Sequence, residues 1–217
     1  MIARKALFAA TLAAVALGGC AHHGGDIVVD EGVGVTALRS VCPAVGVPDF
    51  TGDMTLFNPP AARTADAIDI SAAITNVRST CNDMVDPVYV GATFDVIAQR
   101  RDTRGARTVQ LPYFSTVLRG GNAVISKRLG TVALTFADGQ ARAQGRGTAA
   151  AYVSKAAATL PADVRARITE KRKAGEAEAA VDPLSRPEIR TAVAAATFEL
   201  LIGFQLTDDQ LAYNATR

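Results

Sequence analysis

Tryptophan is absent from this 217-residue chain, and aromatic residues make up only 6% of it. Surfaces that stack sugars or bases are built from such rings, so the composition argues against a carbohydrate platform. Histidine is almost missing too, with two in the whole chain, His22 and His23. Everything after them lacks the side chain that titrates near neutral pH. That excludes Ser-His-Asp and Cys-His machinery and imidazole-held zinc from the body of the chain. Cysteine is scarce, with three residues, at positions 20, 42 and 81. Phosphate loops are missing as well. Gly120-Gly121 and Gly145-Arg146-Gly147 have neither the strand-loop-helix setting nor the following Lys and Ser/Thr.

The first residues carry Arg4 and Lys5 and no acid before Asp26, and an apolar run follows from Ala6 to Leu17. This is the layout of a secretory signal, residues 1–19. A run of about a dozen residues falls short of the ~20 that cross a bilayer core of ~30 Å.

The end of the run, Leu17-Gly18-Gly19-Cys20, resembles the lipobox of bacterial lipoproteins. The resemblance implies cleavage between Gly19 and Cys20 and a lipid on Cys20, so that the chain is held to a membrane. Two or more acyl chains make such anchoring stable. Ala21, where an Asp often retains such lipoproteins in the inner membrane, points to the outer membrane, with the folded part facing the periplasm.

Loss of the signal removes two of the 23 basic side chains and none of the 21 acidic ones, leaving charge balanced. The pI of 8.5 therefore carries no argument for nucleic acid, and export argues against it. With Cys20 lipidated, Cys42 and Cys81 remain as an even pair in an oxidising compartment. A Cys42–Cys81 disulfide is expected; the alternative is two buried free thiols. Residues 20–40, with Gly24, Gly25, Gly32 and Gly34, read as a flexible tether. His22-His23 within it converge poorly on a metal ion.

From residue 41 the pattern is period 2. Ile68, Ile70, Ala72 and Ile74 share a face, as do Val88, Val90, Ala92, Phe94, Val96 and Ala98. A polar turn over 101–107 leads to a strand through Val109, Leu111 and Tyr113, whose Pro112 suits an edge or a bulge. Arg119-Gly120-Gly121-Asn122 turns the chain again, and Asp138-Gly139 signals a hairpin after Phe136. Its partner strand, about 140–153, is rich in Ala and Gly and less distinct. Pro161 suits the first turn of a helix carrying Val164 and Ile168, with an Ala- and Glu-rich mobile link after it. Ser185-Arg186-Pro187-Glu188 resembles a capping box before Ile189 and Val193. Phe198, Leu200, Ile202, Phe204 and Leu206 then mark a central strand, and Thr207 caps a helical turn. The fold expected is all-β: an antiparallel, immunoglobulin-like two-sheet sandwich of about seven strands over residues 41–217, with a helical insertion at about 158–195 before the last strand.

No catalytic residue, metal site or cofactor is assigned. Asn82-Asp83-Met84-Val85-Asp86 lacks the dense acids of a calcium loop and reads as a solvated turn; Asp208-Asp209 reads as a helix start. One charged feature stands out. Arg100, Arg101, Arg104 and Arg107 crowd a single expected hairpin tip, which makes them candidates for contact with an anionic partner, lipid head groups or an acidic protein. The alternative is a solvated turn.

Gly203-Phe204-Gln205-Leu206-Thr207 followed by Gln210-Leu211-Ala212-Tyr213-Asn214 resembles the C-terminus of a group of alphaproteobacterial envelope lipoproteins without an assigned activity. Cys42-Pro43, Cys81 and Leu111-Pro112-Tyr113-Phe114 are similar to further features of that group. The resemblance implies one sandwich domain with the disulfide. The function expected is therefore that of a lipid-anchored, non-enzymatic structural or adaptor protein beside an envelope partner. The alternative is a module binding a small hydrophobic or lipidic ligand between the sheets, which needs a cavity of ~300 Å³ or more.

Overall fold

The computed structural model describes residues 40–170 and 181–216. The signal, Cys20, His22 and His23 lie outside them, as does the Ala- and Glu-rich link apart from Val181. The short β1 (Ala44–Gly46) and β2 (Asp53–Phe57) are followed by four long strands. These are β3 (Ile68–Asn82), β4 (Val88–Arg100), β5 (Arg107–Arg119) and β6 (Ala123–Phe136). After β7 (Arg142–Val153) come helices α1 (Lys155–Ala158), α2 (Ala162–Thr169) and α3 (Pro187–Ala196), then β8 (Phe198–Phe204) and α4 (Asp208–Thr216). The strands form two stacked four-stranded sheets, β1-β8-β5-β6 and β2-β3-β4-β7. All neighbours are antiparallel except β1, which runs parallel to β8. The expected sandwich is present, with eight strands rather than seven.

The core lies where the period-2 pattern put it. Val90, Ala92, Phe94, Val96 and Ala98 of β4 are buried in one cluster with Leu111, Val117, Leu134 and Phe136 from the facing sheet, and Val88 is buried as well. β8 sits between β1 and β5 and buries Phe198, Leu200, Ile202 and Phe204. Its ladder with β5 ends at Tyr113↔Phe204. Pro112 lies just past that end, where its carbonyl accepts from Gln205 N at 2.9 Å on the β8 side, and its missing N–H breaks no bond with β6.

Two turn expectations need correction. The 101–106 segment is no hairpin tip: β4 belongs to the second sheet and β5 to the first. Asp138-Gly139 likewise joins β6 to β7 across the two sheets, although Gly139 has the positive φ of 75° that such turns use. Turn chemistry reports that the chain reverses, not which strand it then pairs with. Of these three turns only Arg119–Asn122 closes a hairpin within a sheet, with Gly120 and Gly121 at positive φ; residues 83–87 close another between β3 and β4.

β7 is rich in Gly because the Phe94 ring of β4 and the edge of the first sheet both press close on it. A Cβ on Gly147 would stand 2.1 Å from the Phe94 ring, and one on Gly145 would stand 2.6 Å from Val132 and 2.9 Å from the Ala133 carbonyl.

The insertion is helical as expected and spans α1 to α3. Val164 and Ile168 of α2 close on Ile189 and Val193 of α3 in a small second core. The Ser185 capping box does not form. Pro187 occupies the first helical turn and Arg186 the cap position, one residue later than the box requires. Ser185 Oγ instead donates to the Asp182 carbonyl at 2.7 Å. The insertion is tied to the sandwich where Arg119 Nε donates to Ala195 O at 2.6 Å and Gly120 N to Thr197 O at 2.9 Å.

The disulfide is present: Cys42 and Cys81 are bonded, with Cα atoms 6.1 Å apart. It joins the chain just ahead of β1, in the first sheet, to the end of β3, in the second.

Candidate functional site: a free strand edge

The four arginines do not form one exposed patch. Arg100 ends β4 on the inward parity of Val88 to Ala98 and is 2% exposed. Its guanidinium donates to four carbonyls: Nε to Gln140 at 2.9 Å, Nη1 to Gly105 at 2.8 Å, and Nη2 to Thr103 at 2.7 Å and Ala137 at 2.9 Å. It also lies 5.2 Å from the Phe136 ring centre. A cation so placed holds both inter-sheet turns closed and is out of reach of any partner, which corrects its assignment as a contact. The other three are exposed but engaged. Arg101 Nη1 donates to the Ala65 and Asp66 carbonyls. Arg104 forks onto Asp102, which raises the arginine pKa and holds the carboxyl far below its usual range. Arg107 forks onto Asp69 at 2.8 and 2.9 Å, which raises its pKa through that hydrogen bond. Asp66, Asp69, Asp102 and Asp138 share this end of the sandwich, so the arginines do not make it an electropositive surface.

Asp95 is the other buried charge on the strands. Asn76 Nδ2 donates to it at 2.7 Å and Arg146 Nε at 3.2 Å. These two bonds, Asn76 first, hold its pKa below the ordinary value. All its neighbours stabilise the anion; none serves to take up or deliver a proton. Among the described residues no three His, Cys, Asp or Glu side chains converge as metal ligands.

The terminal motif reads as structure. Thr207 and Gln210 form a true capping box: Thr207 N donates to Gln210 Oε1 at 2.9 Å, and Gln210 N to Thr207 Oγ1 at 3.3 Å. The helix started there is α4, longer than the single turn expected. Asn214 Nδ2 donates to the Phe50 and Asp53 carbonyls, each at 2.8 Å. The Tyr213 ring meets Phe57 edge-on at 5.2 Å. Gly203 leaves room for Thr51, whose Oγ1 would lie 2.3 Å from a Cβ there. The tail therefore clasps the segment ahead of β2.

Between the sheets, Ile70, Phe94, Val96, Leu134, Phe136 and Ile202 are 0–1% exposed and fill the interior. The larger hollows open outward. One of about 650 Å³ runs over the outer face of the second sheet past Ser71, Ile97, Gln99 and Arg142.

The unusual surface is β6. Every residue from Ala123 to Leu129 is exposed, although the strand is continuous to Phe136. This half runs on past the cover of the second sheet. Val124 is 64% exposed, Ile125 57% and Leu129 68%. Where it leaves β7 a cleft of about 380 Å³ opens, lined by Tyr113, Ser115, Arg128, Leu129 and Thr148. β6 is also the edge of its sheet. The Pro112 carbonyl accepts from Gln205 N on the side of β8, so Thr131 opposite it turns its backbone groups away from β5. Alternation gives Leu129 and Lys127 the same outward direction, and Ser126 the inward one. Ser126 O indeed accepts from Thr116 Oγ1 on β5 at 2.9 Å. An apolar strand with bare outward N–H and C=O groups is a template for another strand.

No family model matches this chain, and neither the curated proteins nor the solved structures contain a match. The edge must therefore be read on its own chemistry. Sequence reasoning missed it, because Val124, Ile125 and Leu129 look like any strand alternation. Only the pairing order reveals that no described residue covers them.

Proposed function

We propose that this protein is a lipid-anchored adaptor of the outer membrane, facing the periplasm, that holds an envelope partner on the free edge of β6. The observation that carries this reading is the exposed apolar half-strand 123–129 on an unpaired sheet edge. An adaptor needs such a surface, whereas a carrier of a ligand between the sheets needs interior space that the packed core does not leave. The lipid on Cys20, the outer-membrane location and kinship with the alphaproteobacterial envelope lipoproteins rest on the sequence signals. The immunoglobulin-like comparison is supported by the two stacked sheets and by the first strand lying parallel to the last. No described helix is long and apolar enough to cross a membrane, so the lipid supplies the anchor in this reading.

The test is crosslinking in cells followed by purification from outer-membrane fractions, with the tag placed within residues 174–181 and Cys20→Ala as control. One stoichiometric partner, lost in the control and in Leu129→Asp, supports the adaptor. Recovery of the protein from that fraction with no partner refutes it and turns attention to extracted lipids.

A further inference from the structure

The edge also carries a statement about what it accepts. Lys127 and Arg128 sit in the middle of the exposed half-strand, and no carboxylate among the described residues reaches salt-bridge distance of either. Lys127 has only the Phe114 ring, 5.0 Å away. This contrasts with Arg104, Arg107 and Arg146, each of which has its own aspartate. Ile125, Lys127 and Leu129 occupy successive odd positions, with Lys127 and Leu129 cross-strand from Thr116 and Phe114. Arg128 lies on the opposite face and lines the cleft beside β7.

We propose that the β6 edge takes an extended strand from a partner protein, laid antiparallel, with carboxylates opposite Lys127 and Arg128 and aliphatic side chains opposite Ile125 and Leu129. This rests on the adaptor reading and names the partner's chemistry. The backbone groups of Lys127 and Leu129 supply the ladder; the two cations fix the register, because a one-residue slip takes the carboxylate from one charge and a two-residue slip from both. Cations on an edge also guard against pairing of like copies. Two copies of this strand would bring four positive charges together, which disfavours a second copy as the occupant. A basic strand is disfavoured for the same reason, and a neutral one leaves both cations without a counter-charge, so the pair of charges selects as well as protects.

The probe is a synthetic peptide, Val-Val-Glu-Glu-Ser-Val-Val, written to put its glutamates opposite Arg128 and Lys127, with a Val-Val-Lys-Lys-Ser-Val-Val control. It is titrated by fluorescence anisotropy against the chain from residue 20 onward with Cys20→Ser. The acidic peptide is expected to bind and the lysine peptide not to. Lys127→Glu with Arg128→Glu is expected to weaken binding by roughly tenfold or more and to reverse the preference between the peptides. Raised salt should weaken the wild-type complex. Leu129→Pro removes an N–H that β5 does not use, so it should abolish binding while thermal melting still reports a folded domain; Leu129→Ala should bind more weakly.

Binding of neither peptide overturns the proposal and leaves Lys127 and Arg128 as guards alone. Equal binding of both overturns the charge assignment. Concentration-dependent dimers lost in Leu129→Pro, with no peptide binding, make the occupant a second copy. Residues 28–33, Val-Val-Asp-Glu-Gly-Val, follow the order of aliphatic and acidic side chains in the first six residues of the probe. Binding seen only after Asp30→Lys with Glu31→Lys would assign the edge to this chain's own segment and overturn the assignment to a partner. Because the peptide assay needs neither lipid nor envelope, it can fail while the pull-down succeeds, and the reverse.

Discussion

Replacing Arg100 with Met keeps a long apolar stem beside Phe136 and removes the guanidinium. Four carbonyls, of Thr103, Gly105, Ala137 and Gln140, then lose their donor. At about 1.5–3 kcal/mol for a hydrogen bond to a charged group, the gross loss is roughly 6–12 kcal/mol. Two effects return part of it. Met is far cheaper to keep from water than a cation, and the carbonyls of the turns regain water as those turns loosen. The net cost should be about 3–5 kcal/mol, as when one member of a buried charged group is deleted. For a domain of this size 1 kcal/mol moves Tm by about 2–4 °C, so Arg100→Met should melt roughly 6–20 °C lower. Circular dichroism melts beside Arg104→Ala make the comparison, because Arg104 is exposed and paired only with its near neighbour Asp102. Its loss should leave the melting temperature close to that of the wild type. If Arg100→Met melts within about 2 °C of the wild type, the guanidinium is not what closes that end of the sandwich.

Other outcomes follow from the packing. Gly147→Ala drives a methyl into the Phe94 ring and should destabilise by about 1–3 kcal/mol, with partial recovery in Phe94→Leu, both read by urea denaturation. Asn214→Ala leaves the Phe50 and Asp53 carbonyls without their donor and should cost about 1–3 kcal/mol, with proteolysis of the tail as a second readout. Cys42→Ser with Cys81→Ser opens a loop of 39 residues and should cost roughly 4 kcal/mol by loop entropy; two titratable thiols in the unfolded, unreduced wild type would refute the bond. Asp95 has a folded pKa below its unfolded one, so its contribution is complete above the unfolded value near 4 and lost as pH falls further. The Tm gap between wild type and Asp95→Asn should be full at pH 6 and shrink toward pH 2, and a gap independent of pH refutes the linkage.

The strands were legible where one face is apolar and the other polar. The alternation through Val88–Ala98 and Phe198–Phe204 placed core residues correctly, because burial on one side imposes period 2. β7 was faint for a physical reason. Gly145 is small so that Val132 and Ala133 of the first sheet can approach, and Gly147 so that the Phe94 ring of β4 can lie against it; a strand read by its side chains disappears when its function is to have none. The same parity that fixed β4 also carried Arg100 inward, but charge overrode parity in the reading, and four neighbouring arginines looked like one feature. Turn signals were read as in-sheet hairpins because they are local, whereas strand pairing is settled by distant residues. The two capping boxes show the same limit: Thr207 and Gln210 form theirs, while Pro187 shifts the start of α3 and leaves Ser185 outside it. The β6 edge was invisible for a further reason, since exposure of Val124, Ile125 and Leu129 depends on where the other sheet ends.

The position of the disulfide has a mechanical consequence. β1 is three residues long and lies at the edge of its sheet, the kind of strand that peels away under load one bond at a time. A pull on the chain upstream of Ser40 reaches Cys42 before Ala44, and there the force divides. The covalent branch passes through Cys81 into β3, an interior strand of the other sheet whose ladder with β4 runs from Ile70 to Asn82. Tension that would unzip β1 is thus spread as shear across the second sheet, and the domain can be dragged by its leading end without surrendering its first strand.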